Sequence, residues 1–233
     1  CAEGRRGHQR GQGCDVQEGG RQLSPVSVAF LPTTPLLIPD LATGAAGELG
    51  ALRSAATAAV ADVCSHATAI AVLVPGSADL ALTTWSLRGF GIDVGDGEPV
   101  PLPVAIAGWL LDGRPAHVLG TDVAGRRLHD YDAVLAMGDG SAARTDKAPL
   151  HLDPQAAALD DAALAAIRSA DLDTLRGLDL PAHDAVGATG PRVWKTLAGL
   201  ITDVESSTVL STTDPYGVLY LVATWRARWA DPA

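Results

Sequence analysis

The stretch TAIAVLVPG, residues 68–76, constrains the fold most, because almost every side chain in it is apolar. A strand of this kind is buried on both faces, which is typical of a parallel sheet covered by helices on each side. It follows a helical segment, residues 44–67, whose apolar side chains recur at steps of three and four. Those side chains are Leu49, Leu52, Ala56, Val60 and Val63. With the strand at 27–31 before that helix, residues 27–76 predict a right-handed βαβ unit.

The rest of the chain continues this alternation of strands and helices. Helices are predicted at 102–113 and 191–204, with one or two helices over 159–178, and strands are predicted at 115–123, at 132–140 and in a closing hairpin over 207–228. Thr43 is expected to cap the first helix. Residues 83–103 are expected to form a loop, because Gly and Pro interrupt them repeatedly. We therefore predict an α/β fold: a single domain with a mostly parallel central sheet flanked by helices and an antiparallel C-terminal edge.

The first 22 residues differ in composition from the rest of the chain. Gly, Arg and Gln predominate there and apolar side chains are almost absent, so this stretch has little surface to bury. We expect a flexible tail over residues 1–25 and a single domain over residues 26–230. Over the whole chain, 47% of the residues are hydrophobic and 19% are charged, which is enough apolar surface for a real core.

Charge and cysteine usage argue against several classes of partner. The formal net charge of −10 disfavours nucleic acid and anionic membranes, because both require a basic protein face. No run of about 18 apolar residues occurs, so no membrane-spanning helix is predicted. The three cysteines, Cys1, Cys14 and Cys64, fit no zinc-site spacing, and Cys64 is expected in the core. Their number suits a reducing compartment, so we predict a cytoplasmic protein.

Polar residues follow the predicted fourth strand, at the edge of the sheet where α/β folds bind ligands. The stretch MGDGSAARTDKAP, residues 137–149, offers Asp139, Ser141 and Lys147, and its glycines let the backbone approach a ligand. It has neither the GxxxxGK[ST] spacing of a P-loop nor the GxSxG spacing of a nucleophile elbow. A plain glycine turn, in which the Asp side chain binds its own backbone, is the alternative interpretation.

Three further segments contribute to the same candidate pocket. Thr33 and Thr34 stand between two prolines after the first strand, and Ser77 follows the second strand. Tyr216 belongs to DPYG, residues 214–217, which either forms only a tight turn or projects the tyrosine into the cleft. The candidate pocket therefore comprises Thr33, Thr34, Ser77, Asp139, Ser141, Lys147 and Tyr216.

The histidines supply only weak candidates for a metal site. His117 lies inside a predicted strand, where a satisfied core histidine is the simpler interpretation. His151 and Asp153 form an HxD pair after the fourth strand, and ordinary solvated loop residues are the alternative there. A non-haem iron site needs two histidines and a carboxylate on one face, and no such set is evident from the spacing.

Two tryptophans on the closing strand bear on oligomerisation. Trp225 and Trp229 either anchor an interface between copies of the chain or pack on a neighbouring helix of the same copy. The sequence leaves both interpretations open, and a homo-oligomer is one of the expected states.

Three longer stretches resemble one protein family. They are FLPTTPLLIPDLATGAAGELGALRSA at 30–55, AMGDGSAARTDKAPLHLDPQAAALDDA at 136–162 and DPYGVLYLVATW at 214–225. Together they resemble a group of actinobacterial proteins that is classed with the class III extradiol ring-cleavage dioxygenases. Those enzymes are similar to the catalytic beta-subunit of protocatechuate dioxygenase, and the resemblance extends over about residues 26–228.

This resemblance implies a non-haem Fe(II) enzyme that opens catechol-type rings with O2, using two His ligands and one Glu ligand. The first His of the family follows strand one in a Pro-containing loop, and Thr33 stands at that position here. The second His is expected after the next strand, where the sequence reads Pro75, Gly76 and Ser77, and Glu205 is the only Glu near the C-terminal strands. Hydroxyl and backbone groups are poor ligands for Fe(II). The resemblance therefore implies the fold, while the residues argue against iron.

We predict a protein without a metal cofactor on a dioxygenase-like fold, which binds a small aromatic or other small molecule, or a partner, in the former cleft. An active Fe(II) ring-cleavage oxygenase that uses His117, or His151 with Asp153, is the first alternative. A hydrolase or transferase that uses Ser141 with Asp139 and a remote His is the second. A purely structural or assembly role is the third.

Overall fold

A seven-stranded mixed sheet forms the centre of the computed structural model, which describes residues 24–41 and 49–231. The strands are β1 (Pro25–Leu31), β2 (Ile70–Val74), β3 (Asp79–Leu82), β4 (Ala116–Gly120), β5 (Ala133–Met137), β6 (Ile201–Thr213) and β7 (Tyr220–Trp229). Their order across the sheet is β3-β4-β2-β5-β1-β7-β6. The central strands β4, β2, β5 and β1 are parallel. The outer strands β3, β7 and β6 are antiparallel to their neighbours.

Helices cover both faces of this sheet. They are α1 (Gly50–Val63), α2 (Leu102–Leu111), α3 (Thr121–Ala124), α4 (Ala156–Ser169), α5 (Leu172–Arg176), α6 (Leu180–Ala185) and α7 (Gly190–Leu200). Helices α1 and α2 cover one face, where Leu31 and Val72 point, and α4, α5 and α7 cover the other, where Phe30 and Leu73 point. Strands buried on both faces need apolar side chains at every position, which explains the composition of β2. None of the described helices is long and apolar enough to cross a membrane.

The predicted architecture is confirmed for the described residues: helices flank a sheet with a parallel centre and an antiparallel C-terminal edge. The strands predicted at 27–31, 68–76, 115–123 and 132–140 correspond to β1, β2, β4 and β5, and the helix predicted at 102–113 corresponds to α2. Thr43, the predicted cap of α1, and residues 1–23 of the predicted tail lie outside the described residues.

Several assignments differ from the prediction. Residues 121–123, predicted as the end of a strand, begin α3, and the segment predicted as one or two helices over 159–178 forms two, α4 and α5. Strand β3 was not predicted, because four residues at the edge of a sheet carry too little alternation to be recognised. The helix predicted over 191–204 ends at Leu200, and the assignment of residues 201–204 to it was wrong. Ile201 instead begins β6 and lies opposite Trp229 of β7, so pairing between distant segments decides the conformation of these residues.

Both tryptophans of the closing strand are buried inside the domain. The Nε1 of Trp225 donates to the carbonyl of Ile167 on α4 at 3.0 Å, and its ring meets Phe30 edge to face. Trp229 stacks on His129, with 5.2 Å between the ring centroids. Packing within the same copy therefore accounts for both side chains, and neither is exposed for use as an interface anchor.

Candidate functional site

Thr33 and Asp139 meet at the carboxyl edge of the parallel strands. Leu31 and Met137 are paired across β1 and β5, and Thr33 and Asp139 each come two residues later. The backbone N–H of Thr33 donates to Asp139 Oδ1 at 2.9 Å, and the Thr33 hydroxyl donates to Asp139 Oδ2. The register of two parallel strands thus brings together two candidate residues that lie far apart in the chain.

The backbone of Asp139 is held as firmly as its side chain. Its N–H donates to the Thr189 hydroxyl at 2.9 Å, and its carbonyl accepts the N–H groups of Thr189 at 3.0 Å and Gly190 at 2.7 Å. Gly138 donates to the carbonyl of Leu31 at 2.9 Å. The carboxylate is therefore fixed relative to both β1 and the start of α7.

Asp139 has the strongest electrostatic perturbation at this edge. Burial raises the pKa of its carboxyl from 3.8 to about 6, although hydrogen bonds from Thr33 act in the opposite direction. The residue as a whole is only partly buried, and so are the hydrogen bonds that its carboxylate accepts from Thr33. Among the residues that the structure describes, no Lys, Arg or His forms an ion pair with Asp139. A carboxyl group in such surroundings takes up a proton or a counter-ion readily.

Tyr220 joins this site, although it was not among the predicted residues. It begins β7, which runs antiparallel to β1, so it lies beside the end of β1. Burial raises the pKa of the Tyr220 hydroxyl, the Thr34 hydroxyl acts in the opposite direction, and the charges of Asp139 and Tyr216 raise it further. The sequence signal was weak, because Tyr220 stands within the apolar strand LYLVA, where an aromatic residue suggests only core.

Tyr216 lies in the turn between β6 and β7 and is strained. Its φ is +60°, a left-handed conformation that is uncommon for a bulky aromatic residue, and half of its surface is exposed. Gly217 follows with φ of +74°, and a β-carbon there would collide with the Thr145 hydroxyl. DPYG is therefore a tight turn on which Tyr216 is half exposed, and its projection into the cleft stays a prediction.

A buried polar network holds this turn against the loop that follows β5. Asp160 is 1% exposed and accepts the Ser141 hydroxyl at 2.5 Å and Arg144 Nη1 at 2.9 Å. Arg144 Nε also donates to Asp214 at 3.1 Å, at the start of the turn. Ser141 is fully buried and bonded to Asp160, so the structure does not bring its hydroxyl to Asp139. We interpret Ser141 as part of the scaffold that positions the site.

The remaining pocket candidates lie apart from this cluster. The Ser77 hydroxyl donates to Asp122 Oδ2 at 2.7 Å, which ties the end of β2 to the segment after β4. Lys147 is exposed on the loop after β5. Within the described residues, the structure therefore groups Thr33, Thr34 and Asp139 with Tyr220, leaves Tyr216 on the turn that leads into β7, and places Ser77, Ser141 and Lys147 in other surroundings.

The residues at this edge do not fit an Fe(II) site of the extradiol type. The Thr33 hydroxyl is committed as a donor to the carboxylate of Asp139, and no histidine in the part of the chain that the structure describes bonds to that carboxylate. His117 is near the start of β4, bonded through Nε2 to Asp79 at 2.8 Å. Across residues 24–41 and 49–231, no three His, Cys, Asp or Glu side chains form a group suited to a metal ion.

The other candidate metal ligands, His151, Asp153 and Glu205, also lie in separate local surroundings. His151 is exposed, and the Asp153 carboxylate accepts the N–H of Gln155 at 2.8 Å just before α4. Glu205 forms an ion pair with Arg228 between β6 and β7. These contacts are those of turns and surface pairs, which agrees with the solvated-loop interpretation of the HxD pair.

A separate groove of about 430 Å³ lies between α4 and the segment of α5 and α6. Its wall is mostly apolar and includes Leu159, Leu178 and His183. His183 is 2% exposed, and its Nδ1 has no hydrogen-bond partner among the described residues. Burial lowers the pKa of this imidazole, which favours its neutral form, while the nearby Asp160 acts in the opposite direction. The groove is a competing location for a small apolar ligand.

Comparison of the sequence with protein-family models gave no match, and a search of curated proteins found no similar protein.

Proposed function

We propose that this chain is a small-molecule-binding protein on an extradiol dioxygenase-like α/β fold, and that it binds its ligand without iron. One observation carries the proposal: a desolvated carboxylate, Asp139, is held by Thr33 at the carboxyl edge of the parallel strands. Open α/β sheets bind their ligands at this edge. Burying a carboxylate is costly, so its retention at the mouth of the sheet supports a role in binding.

The position of Thr33 supports the same proposal. It follows β1, where the resemblance to the extradiol dioxygenases implies an iron-binding histidine. A threonine hydroxyl that already donates to a carboxylate has little capacity to coordinate Fe(II). The proposal is that hydrogen bonding and charge have replaced metal coordination at this edge of the fold.

The fold around the site also favours binding. The strain at Tyr216 persists because Arg144 and Asp214 tie the turn to the loop after β5. Backbone strain that the surrounding structure sustains is concentrated at ligand sites in proteins generally. A turn that kept only a structural role could use Gly or Asn at this position at lower cost.

The test combines metal loading with a ligand screen of the full chain. Purified protein is exposed anaerobically to Fe(II), dialysed and analysed for iron, and the same protein is screened by NMR against small aromatic compounds. We expect iron well below stoichiometric amounts, and amide shift changes centred on Thr33, Asp139 and Tyr220. Stoichiometric iron would overturn the proposal, as would shift changes centred on Leu159 and His183 in the separate groove.

A further inference from the structure

We infer that the ligand of this site is an organic cation, such as a substituted ammonium compound, and that Asp139 is its counter-ion. This inference rests on the proposed binding function and narrows it to one chemical class.

The different charge balance of Asp160, which is buried, and Asp139, which is partly buried, carries the inference. Asp160 is buried and has Arg144 at 2.9 Å as its counter-ion. Asp139 receives hydrogen bonds from Thr33, which supplies only neutral donors, and it has no ion-pair partner among the described residues. A withdrawn carboxylate without a cation is costly. Within residues 24–41 and 49–231, the fold thus supplies a cation for Asp160 and none for Asp139, whose charge a cationic ligand would compensate.

Aromatic side chains beside the carboxylate favour an organic cation over an inorganic one. The antiparallel register of β7 against β1 places Tyr220 opposite the segment that follows β1, where Thr33 bonds to Asp139, and Tyr216 lies in the turn that leads into β7. The faces of aromatic rings attract alkylammonium groups. Tyr216 is half exposed, and its backbone is strained in the conformation that presents it.

The charge of the ligand follows from these surroundings. An anionic ligand would add a second negative charge beside Asp139, in a chain whose formal net charge is already −10. A neutral alcohol would donate one hydrogen bond and leave the carboxylate charge uncompensated. A cation supplies both the hydrogen bond and the charge, and a charge-assisted bond is the stronger of the two.

Three probes of nearly the same shape test this inference: benzylammonium, benzyl alcohol and benzoate. Each is titrated at about pH 7.5 into the wild-type chain and into Asp139→Asn, with binding followed by amide shifts and calorimetry. The control is Asp93→Asn, which removes one negative charge at an exposed ion pair with Arg88. Circular dichroism verifies that all variants are folded.

We expect benzylammonium to bind about tenfold more tightly than benzyl alcohol, because the hydrogen bond is charge-assisted, and benzoate not to bind. Asp139→Asn should lose the preference for the cation, whereas Asp93→Asn should keep it. In the wild type, saturation with benzylammonium should lower the pKa of Asp139 from about 6, as read from its carboxyl carbon shift.

The outcomes separate this inference from the proposed function. If benzyl alcohol or benzoate binds at Thr33 and Asp139 as tightly as benzylammonium, the inference of a cation is overturned and the binding function stands. If none of the probes shifts these residues, and the aromatic screen does not either, both are overturned. A cation preference that persists in Asp139→Asn would also refute the inference.

Discussion

Thr33 and Asp139 are separated by 106 residues in the chain and are joined by two hydrogen bonds, one from the backbone and one from the side chain of the threonine. The link connects the ends of β1 and β5, which are adjacent in the sheet although they are far apart in the chain. These two hydrogen bonds lie at the carboxyl edge of the parallel strands, where the candidate site is.

This link should contribute measurably to stability. Thr33→Val removes the hydroxyl donor and keeps the shape of the side chain, so we expect a loss of about 1 kcal/mol in the free energy of unfolding. The same substitution in an Asp139→Ala background should cost less, because alanine offers the Thr33 hydroxyl no hydrogen-bond partner. Urea denaturation of the four proteins measures the coupling, and strictly additive effects would contradict the assignment.

The stability of the protein should depend on pH through Asp139. Its pKa is about 6 when folded and near 3.8 when unfolded, so the folded state takes up the proton first as the pH falls. Considered alone, this group makes folding more favourable as the pH falls from about 6 to about 4. That contribution is lost again as the pH rises through 6.

Asp139→Asn isolates that contribution from those of other carboxyl groups, since the variant is uncharged at every pH. The destabilisation caused by Asn should therefore be larger at about pH 4.5 than at about pH 7.5. Urea midpoints of the wild type and the variant at both values test this, and a destabilisation that grows with pH would show that the carboxyl is not withdrawn from water.

The Arg144–Asp160 pair should be intolerant of losing its cation. Arg144→Met leaves Asp160 buried with only the Ser141 donors, and we expect a loss of about 3 kcal/mol or more in unfolding free energy. Adding Asp160→Asn should recover part of the loss by removing the unpaired charge. An effect of Arg144→Met within about 1 kcal/mol would mean that water compensates the carboxylate.

Relief of strain at Tyr216 should raise stability and reduce binding. Tyr216→Asn places a residue that tolerates φ of +60° in the turn, and we expect a gain of about 0.5–1 kcal/mol. The same variant should bind benzylammonium less tightly, because the aromatic face is lost. Thermal denaturation and the titration described above measure the two effects, and unchanged binding would remove Tyr216 from the site.

Cys64 should be unreactive in the folded protein. It is buried, and burial raises the pKa of its thiol to about 11, while Arg114 acts in the opposite direction. In a Cys1→Ser, Cys14→Ser background, a thiol reagent at about pH 8 should modify Cys64 only after urea is added. Rapid modification without denaturant would show that α1 opens locally at its C-terminal end.

Local pattern was sufficient for the parallel centre of the fold. The strands β1, β2, β4 and β5 are runs of apolar residues. Such runs indicate burial on both faces of a sheet, because a polar side chain is disfavoured at every position of a strand of this kind. The same reasoning placed Thr33 and Asp139 among the site residues, because both follow strands whose carboxyl ends share one edge.

The tertiary structure decided which of those residues meet. The register between β1 and β5 joins Thr33 to Asp139, and the pairing of β7 with β1 brings Tyr220 beside them. Ser141 has the same local appearance as Asp139, yet contact with Asp160 on α4 buries it. The sequence by itself therefore determined which segments are strands and where polar groups leave them. Strand order and helix packing decided which polar groups share a site, because those contacts join residues that no local pattern relates.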